Sequence, residues 1–427
     1  MEDINFRNIV YPGSAGPSTC GYCSPPGQRS KQATNYHSAT LDALKLTPSA
    51  YQKMIDRGWR RSGTYCYKSD LKQSCCPQYT IKLDALEFQA TRSHRQLLNR
   101  FNRFILHGEP DNSLETSENS NVGRTNGKKN KGSSPPKLPP FTTLADSVHL
   151  AEKLVLGPKS SVHTFEITLE PSSYTPEKFS LFKKYQADIH NDIKESADGF
   201  QRFLVETPLE PEPIPYPDRR PETLPENYGS YHQLYKLDGQ LIAMAVLDIL
   251  PKCVSSVYFI YDKTWERFSL GKLSALREVS LAREIRDAGV ENMEALYMGF
   301  YIYSCQKMRY KGEYSPSYLV DPETYEWFPM SICIPLLEKH RYACFSNPSH
   351  SITGEADPGA TNSRVEVSPE SELFDGIQVL SHDTSGQIVA TSIHNTRYLS
   401  YLQVRREMET CIRGLGTELS KDIFFTL

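Results

Sequence analysis

Apolar and polar positions along this chain change period several times, and each change marks an element. Across residues 91–107, Leu97, Leu98, Phe101, Phe104 and Ile105 recur at helical spacing, leaving Arg92, Arg95, Arg100 and Arg103 for the solvent side. Thr47 followed by Pro48 reads as an N-cap with Pro at the first helical position, and Gly58 falls where that helix should end. Residues 59–63, Trp-Arg-Arg-Ser-Gly, read as a loop, with short strands following at 64–67 and 79–83. Further on, 231–237 and 240–250 flank Asp238-Gly239 and predict a tight hairpin. Residues 253–261 alternate as a strand, 271–286 carry Leu273, Leu276, Val279 and Leu281 at helical spacing, and 294–303 supply another strand. Strand, helix, strand is a crossover unit, so an α/β (α+β) fold is expected, with a helix N-terminus at a strand end where an anion fits.

Composition then divides the chain. Residues 108–140 are rich in Gly, Ser, Asn, Lys and Pro and are expected to form a disordered linker. This gives an N-terminal module, 1–107, and a second one, 141–427. The latter is interrupted by flexible insertions at 206–227, which is Pro-rich, and 346–370, which is polar. Residues 371–427 are expected to pack with the second module.

The chain has 427 residues and a net charge of only −3. Residues 1–107 nevertheless carry a net +8 against −11 for the remainder, and a basic module suits a polyanionic partner. The arginine stripe is either an RNA-contacting surface or an ordinary solvated face. The longest apolar stretch, 241–250, is broken by Asp248, so no membrane span is expected. Acidic Glu2 and Asp3 in place of an apolar leader predict a cytosolic or nuclear protein, with its cysteines kept as thiols or ligands.

Cys20 and Cys23 form a C-x-x-C pair, and Cys75 and Cys76 follow some fifty residues later. Two such pairs can converge on one metal ion, although neighbouring cysteines in a strand face opposite ways and need a bend to do so. Ordinary buried thiols are the alternative. Arg60 and Arg61 beside Trp59 make a candidate carboxylate or phosphate site, since a guanidinium fork binds either.

Several runs carry more than composition. Cys20-Gly-Tyr-Cys23, Asp56-Arg-Gly-Trp-Arg-Arg-Ser-Gly63, Cys75-Cys-Pro-Gln-Tyr-Thr80 and Lys183-Lys-Tyr-Gln186 with His190 resemble the eukaryotic arginyl-tRNA-protein transferases. So do Gly229-Ser-Tyr-His-Gln233, Asp248-Ile-Leu-Pro251, Cys253-Val-Ser-Ser-Val257, Ser274-Ala-Leu-Arg-Glu278, Tyr297-Met-Gly-Phe-Tyr301 and Met308-Arg-Tyr-Lys-Gly312. The resemblance runs in family order from Cys20 to about Phe328. It implies transfer of arginine from Arg-tRNA to the N-terminal amine of proteins beginning with Asp, Glu or oxidised Cys, which marks them for ubiquitin-dependent degradation. It also implies an acetyltransferase-like (GNAT-like) second domain. The smaller N-terminal domain would hold an iron-sulfur cluster or zinc on Cys20, Cys23, Cys75 and Cys76.

For such an enzyme, His232, Asp248 and Glu278 are the expected catalytic residues; the alternatives are a satisfied core histidine for His232, an acid closing the hairpin end for Asp248 and a surface pair with Arg277 for Glu278. Arg60, Arg61, Tyr231, Ser255, Ser256, Arg309 and Lys311 are expected at the substrates, and Arg92, Arg95, Arg100 and Arg103 at the tRNA. Cations would meet the acidic side chain of the acceptor and carboxylates the arginyl group of the donor. A monomer is expected. A metal-sensing RNA-binding adaptor and a CoA-dependent acetyltransferase are the competing readings, the latter weakened by the lack of a Gly-rich pyrophosphate loop.

Overall fold

The computed structural model describes residues 6–25, 28–108, 138–155, 161–355, 371–383 and 385–427. The expected linker thus lies almost wholly outside the described residues, as do 356–370 of the second insertion. The local signals reappear as elements. Thr47 caps the Pro48–Asp56 helix, its hydroxyl accepting from the Ala50 N–H at 3.1 Å. Thr91 caps the Arg92–His107 helix in a reciprocal box with His94. Asp238 and Gly239 both take positive φ, +50° and +78°, and close the hairpin between Asn227–Leu237 and Gln240–Leu250 as a primed turn.

The elements assemble into two large sheets. The central one has nine strands. Its main path runs Trp327–Pro329, Ser317–Val320, Tyr79–Asp84, Ala295–Tyr301, Cys253–Tyr261, Gln240–Leu250, Asn227–Leu237 and Phe165–Pro171. Side chains alternate across it. Tyr235, Ala245 and Leu247 pack beneath the Leu270–Asp287 helix, whereas Leu234, Met244 and Val246 meet Leu181 and Phe182 of the Pro176–Tyr185 helix on the other face.

The other sheet has seven strands: Ile388–Ser392, Gln378–His382, Phe424–Phe425, Ile9–Gly13, His37–Lys45, Tyr65–Ser69 and Arg60–Ser62. Residues 371–427 therefore complete the sheet of the N-terminal module and are not part of the second one. Trp59, fully buried, donates from its indole to the Gly414 carbonyl at 3.1 Å, and a Cβ on Gly414 would stand 2.9 Å from the indole ring. In the opposite sense, Tyr79–Asp84 leaves the N-terminal module to lie between two strands of the central sheet. Nor are residues 206–227 loose: Leu209, Ile214 and Leu224 are buried, and Leu209 bridges to Leu46.

Residues 59–63 also depart from a loop. Arg60–Ser62 is a strand paired with Tyr65–Ser69, and both arginines point into the protein. Arg61 forks onto Asp248, at 2.9 Å from Nε and 2.6 Å from Nη2, and Ser230 donates to the same carboxylate at 2.7 Å. That buried pair joins the two sheets.

Candidate active site

The crossover creates the site. Cys253–Tyr261 and Ala295–Tyr301 pair in parallel only as far as Ser255 opposite Tyr297, and the ladder then ends while both strands continue. Gly299 lies just past that point with φ +67°, a conformation few side chains tolerate, and it redirects the strand. Arg60 Nη2 donates to the Gly299 carbonyl at 3.1 Å, and Lys311 Nζ donates to the Phe300 carbonyl at 2.8 Å. A Cβ at Gly299 would lie 4.0 Å from both Lys311 Nζ and the Ser256 carbonyl. Two cations thus border one gap in the sheet.

Neither cation has a carboxylate partner among the described residues. Burial pushes Lys311 down to about 7, with the nearby Arg60 charge acting in the same direction. Glu278 enters from the Leu270–Asp287 helix. It is buried, accepts from the Ser274 hydroxyl at 2.6 Å and is hydrogen-bonded by Ser256. Burial raises its pKa, and no cation among the described residues offsets this. A cluster of tyrosines and a histidine lies beyond. Tyr22 lies near both Tyr67 and Tyr258, and the Tyr258 hydroxyl lies 3.5 Å from His190 Nε2. His190 ends a π-helical turn, Gln186–His190, a form found often at functional sites.

The metal candidates sit beside this gap. The sulfurs of Cys20, Cys23, Cys75 and Cys76 all lie within 4.8 Å of one another, with Cys23 and Cys75 at 3.9 Å. A tetrahedral ion with metal–sulfur bonds of about 2.3 Å separates its ligands by about 3.8 Å, so the donor set fits one. Donation from Cys75 and Cys76 holds the Cys20 thiol far below its usual range, while Cys76 is driven upward. Tyr22 is carried on the same loop as Cys20 and Cys23.

The structure brings Arg60, Lys311, Ser256 and Glu278 together; it does not bring the other expected residues there. His232 is fully enclosed, with Lys178 Nζ at 3.1 Å from Nδ1 and Nε2 donating to the Leu204 carbonyl at 2.8 Å. Burial holds its pKa down at about 4, so it is a neutral core histidine and faces no substrate. Asp248 and Arg61 neutralise each other. Tyr231 is buried and donates to the Asn227 carbonyl at 2.7 Å. Ser255 is buried within the ladder, and Arg309 is exposed beside Tyr303. Arg92, Arg95, Arg100 and Arg103 are all exposed on one helix, without a carboxylate partner among the described residues. The sequence reading missed Tyr22, Tyr67 and Tyr258. His190 stood in a motif but was given no role.

Known proteins resemble this chain across both sheets. Residues 18–96 match the family model for the arginine-tRNA-protein transferase N terminus, and residues 177–321 the model for its C terminus. The chain is 33% identical to arginyl-tRNA–protein transferase 1 of Drosophila melanogaster, over 79% of this chain and 86% of that one. Arginyl-tRNA–protein transferase 2 of Arabidopsis thaliana is 28% identical over 86% and 83%. An aspartate/glutamate leucyltransferase of Pseudomonas fluorescens is 31% identical over 35% of this chain and 56% of its own. With this similarity spanning both sheets and the gap between the strands, the chain belongs to the arginyl-tRNA–protein transferase family, whose members transfer arginine from tRNA to the N-termini of proteins.

Proposed function

We propose that the gap between the diverging strands receives proteins whose first residue is Asp, Glu or oxidised Cys. The observation behind this is the pairing of Arg60 with Lys311, two largely enclosed cations with no acid of their own among the described residues. An acidic side chain placed against them gains charge-assisted hydrogen bonds and sets its α-amine beside Ser256. We assign the amine proton to Glu278, reached through Ser256. The arginine arrives already activated as an ester, so positioning can supply most of the catalysis. Beyond Ser255 the strand stays paired with Gln240–Leu250 but no longer with Ala295–Tyr301, and backbone N–H groups on that freed side suit the developing oxyanion.

The other parts follow from the same reading. The crossover and the early end of its ladder support an acetyltransferase-like domain. The four exposed arginines on Arg92–His107 suit phosphates of the tRNA. The compact thiol set suits zinc or iron, single or in a cluster, holding Tyr22 at the gap. The aspartate/glutamate leucyltransferase relative is consistent with acidic acceptors. Arginylated products would be marked for ubiquitin-dependent degradation, in the cytosol or nucleus, by a monomeric enzyme.

Lys311→Met is expected to lower kcat/KM for an Asp-initial peptide by about 10–100-fold, chiefly through KM, the value of one charge-assisted hydrogen bond. The pH profile adds a signature. The Lys311 charge fades as pH rises through about 7, whereas an acceptor amine of pKa about 8 becomes nucleophilic as pH rises. Wild-type kcat/KM should therefore peak between these values, and the variant should lose the falling limb. An unchanged kcat/KM in Lys311→Met would remove the proposed pocket.

A further inference from the structure

A second concave site lies on the opposite face of the same strands. Tyr67 and Lys68 are neighbours on Tyr65–Ser69 and so project to opposite sides. Tyr67 turns toward the transfer gap, whereas Lys68 enters a cleft of about 550 Å³ lined by Arg57, Arg413, Thr80, Tyr325 and Tyr342 among others. The volume is that of a small-molecule site, within the range of about 300–1,000 Å³.

The charges in this cleft are unbalanced. Arg57, Lys68 and Arg413 have no carboxylate partner among the described residues. Two acids and a further lysine also line the cleft, but Glu323 pairs with that lysine, Lys72, and with His350, and Asp70 accepts from the backbone N–H groups of Lys72 and Gln73, so the lining keeps an excess of positive charge. Lys68 Nζ donates to the Tyr325 hydroxyl at 2.6 Å, and the Arg57 guanidinium lies 4.0 Å over the centre of that ring. Tyr325 holds φ at +63°, a strained setting for a bulky side chain and one that clusters at ligand sites. In the wall, Ser69 Oγ and Thr80 Oγ1 are buried with no hydrogen-bond partner among the described residues. Burial, aided by Arg57, pushes Lys68 down to about 7, a cost that a bound anion would reverse.

We propose that this cleft binds a small phosphorylated molecule carrying at least two negative charges, independently of arginine transfer. Three cations converging in a concavity match a compact polyanion, and the arginine forks match phosphate oxygens. The concavity argues for a small ligand over the tRNA backbone. Its walls come from residues 57–58, 68–72, 320–325 and 413, so the cations reach a phosphate inside from separate segments of the chain.

Calorimetric titration of the full-length protein with inorganic phosphate, pyrophosphate and ATP, at fixed ionic strength, tests this. Pyrophosphate or ATP should bind with one site per chain, more tightly than inorganic phosphate. Lys68→Gln and the exposed Arg413→Glu should each weaken binding by about tenfold or more, while leaving basal arginine transfer within about twofold. Retained transfer shows that the variants fold. Failure of all three probes to bind, or equal binding by both variants, would overturn the proposal. So would displacement of the probe by uncharged tRNA together with weaker tRNA binding by Arg413→Glu, since the cleft would then be a polynucleotide contact.

Discussion

Asp248→Ala is expected to destabilise the folded protein by about 3–5 kcal/mol, because it strands the buried Arg61 guanidinium without its counter-charge. The side chains of the pair are 3% and 0% exposed. Removing the carboxylate also takes the acceptor from Ser230, which is then left with Thr207 Oγ1 at 2.7 Å and with the donating Arg61 Nη2 at 2.9 Å. The effect reaches beyond the pair because Arg61 belongs to one sheet and Asp248 to the other. Replacing both partners, as Arg61→Met with Asp248→Leu, should recover most of the loss, since no uncompensated charge remains. Urea denaturation of the three proteins checks this. A loss below about 1 kcal/mol in the single variant would mean that the pair does not join the sheets in the way described.

Cys20→Ser is expected to abolish stoichiometric metal and to lower arginine transfer by about 100-fold or more, because a hard hydroxyl replaces a buried thiolate and binding at such sites is coupled to folding. The consequence for transfer runs through Tyr22, which the Cys20–Cys23 loop holds near Tyr67 and Tyr258. Cys411→Ala is the matched control. Cys411 is also buried, but its thiol donates to the Thr40 carbonyl at 3.1 Å, in the core of the other sheet. Elemental analysis and transfer rates, measured on anaerobically purified protein, separate the two. Full metal content in Cys20→Ser would remove Cys20 from the ligand set.

Features coded over a few residues were legible in the sequence. Thr47-Pro48, Thr91 and Asp238-Gly239 each dictate local backbone geometry, and the observed caps and turn follow from them. The cysteine spacing pointed to the cluster because thiols have few other reasons to occur as two close pairs. Long-range strand pairing was not legible. Nothing in residues 79–84 specifies that the strand pairs with Leu296 and Leu319, and Phe424–Phe425 gives no sign that it reaches Ile9 and Val10. Such pairings depend on side-chain fit across hundreds of residues, not on local preference. The same gap explains the misplaced site residues. Arg61 and Asp248 each suit a ligand when read alone, and only their 187-residue separation collapsing to 2.6 Å shows that they satisfy each other. The strand position of His232 allows a core histidine, but nothing in the sequence names Lys178 and Leu204 as the partners that enclose it.

The central claim is that Arg60 and Lys311 select an acidic first residue. It is tested most directly by the rate of labelled-arginine transfer from Arg-tRNA to two peptides that differ only in beginning with Asp or Asn. The side chains are nearly isosteric, so the comparison isolates charge. The account predicts a preference for Asp of at least about 100-fold in kcat/KM, from two charge-assisted contacts. Equal rates with the two peptides would contradict it.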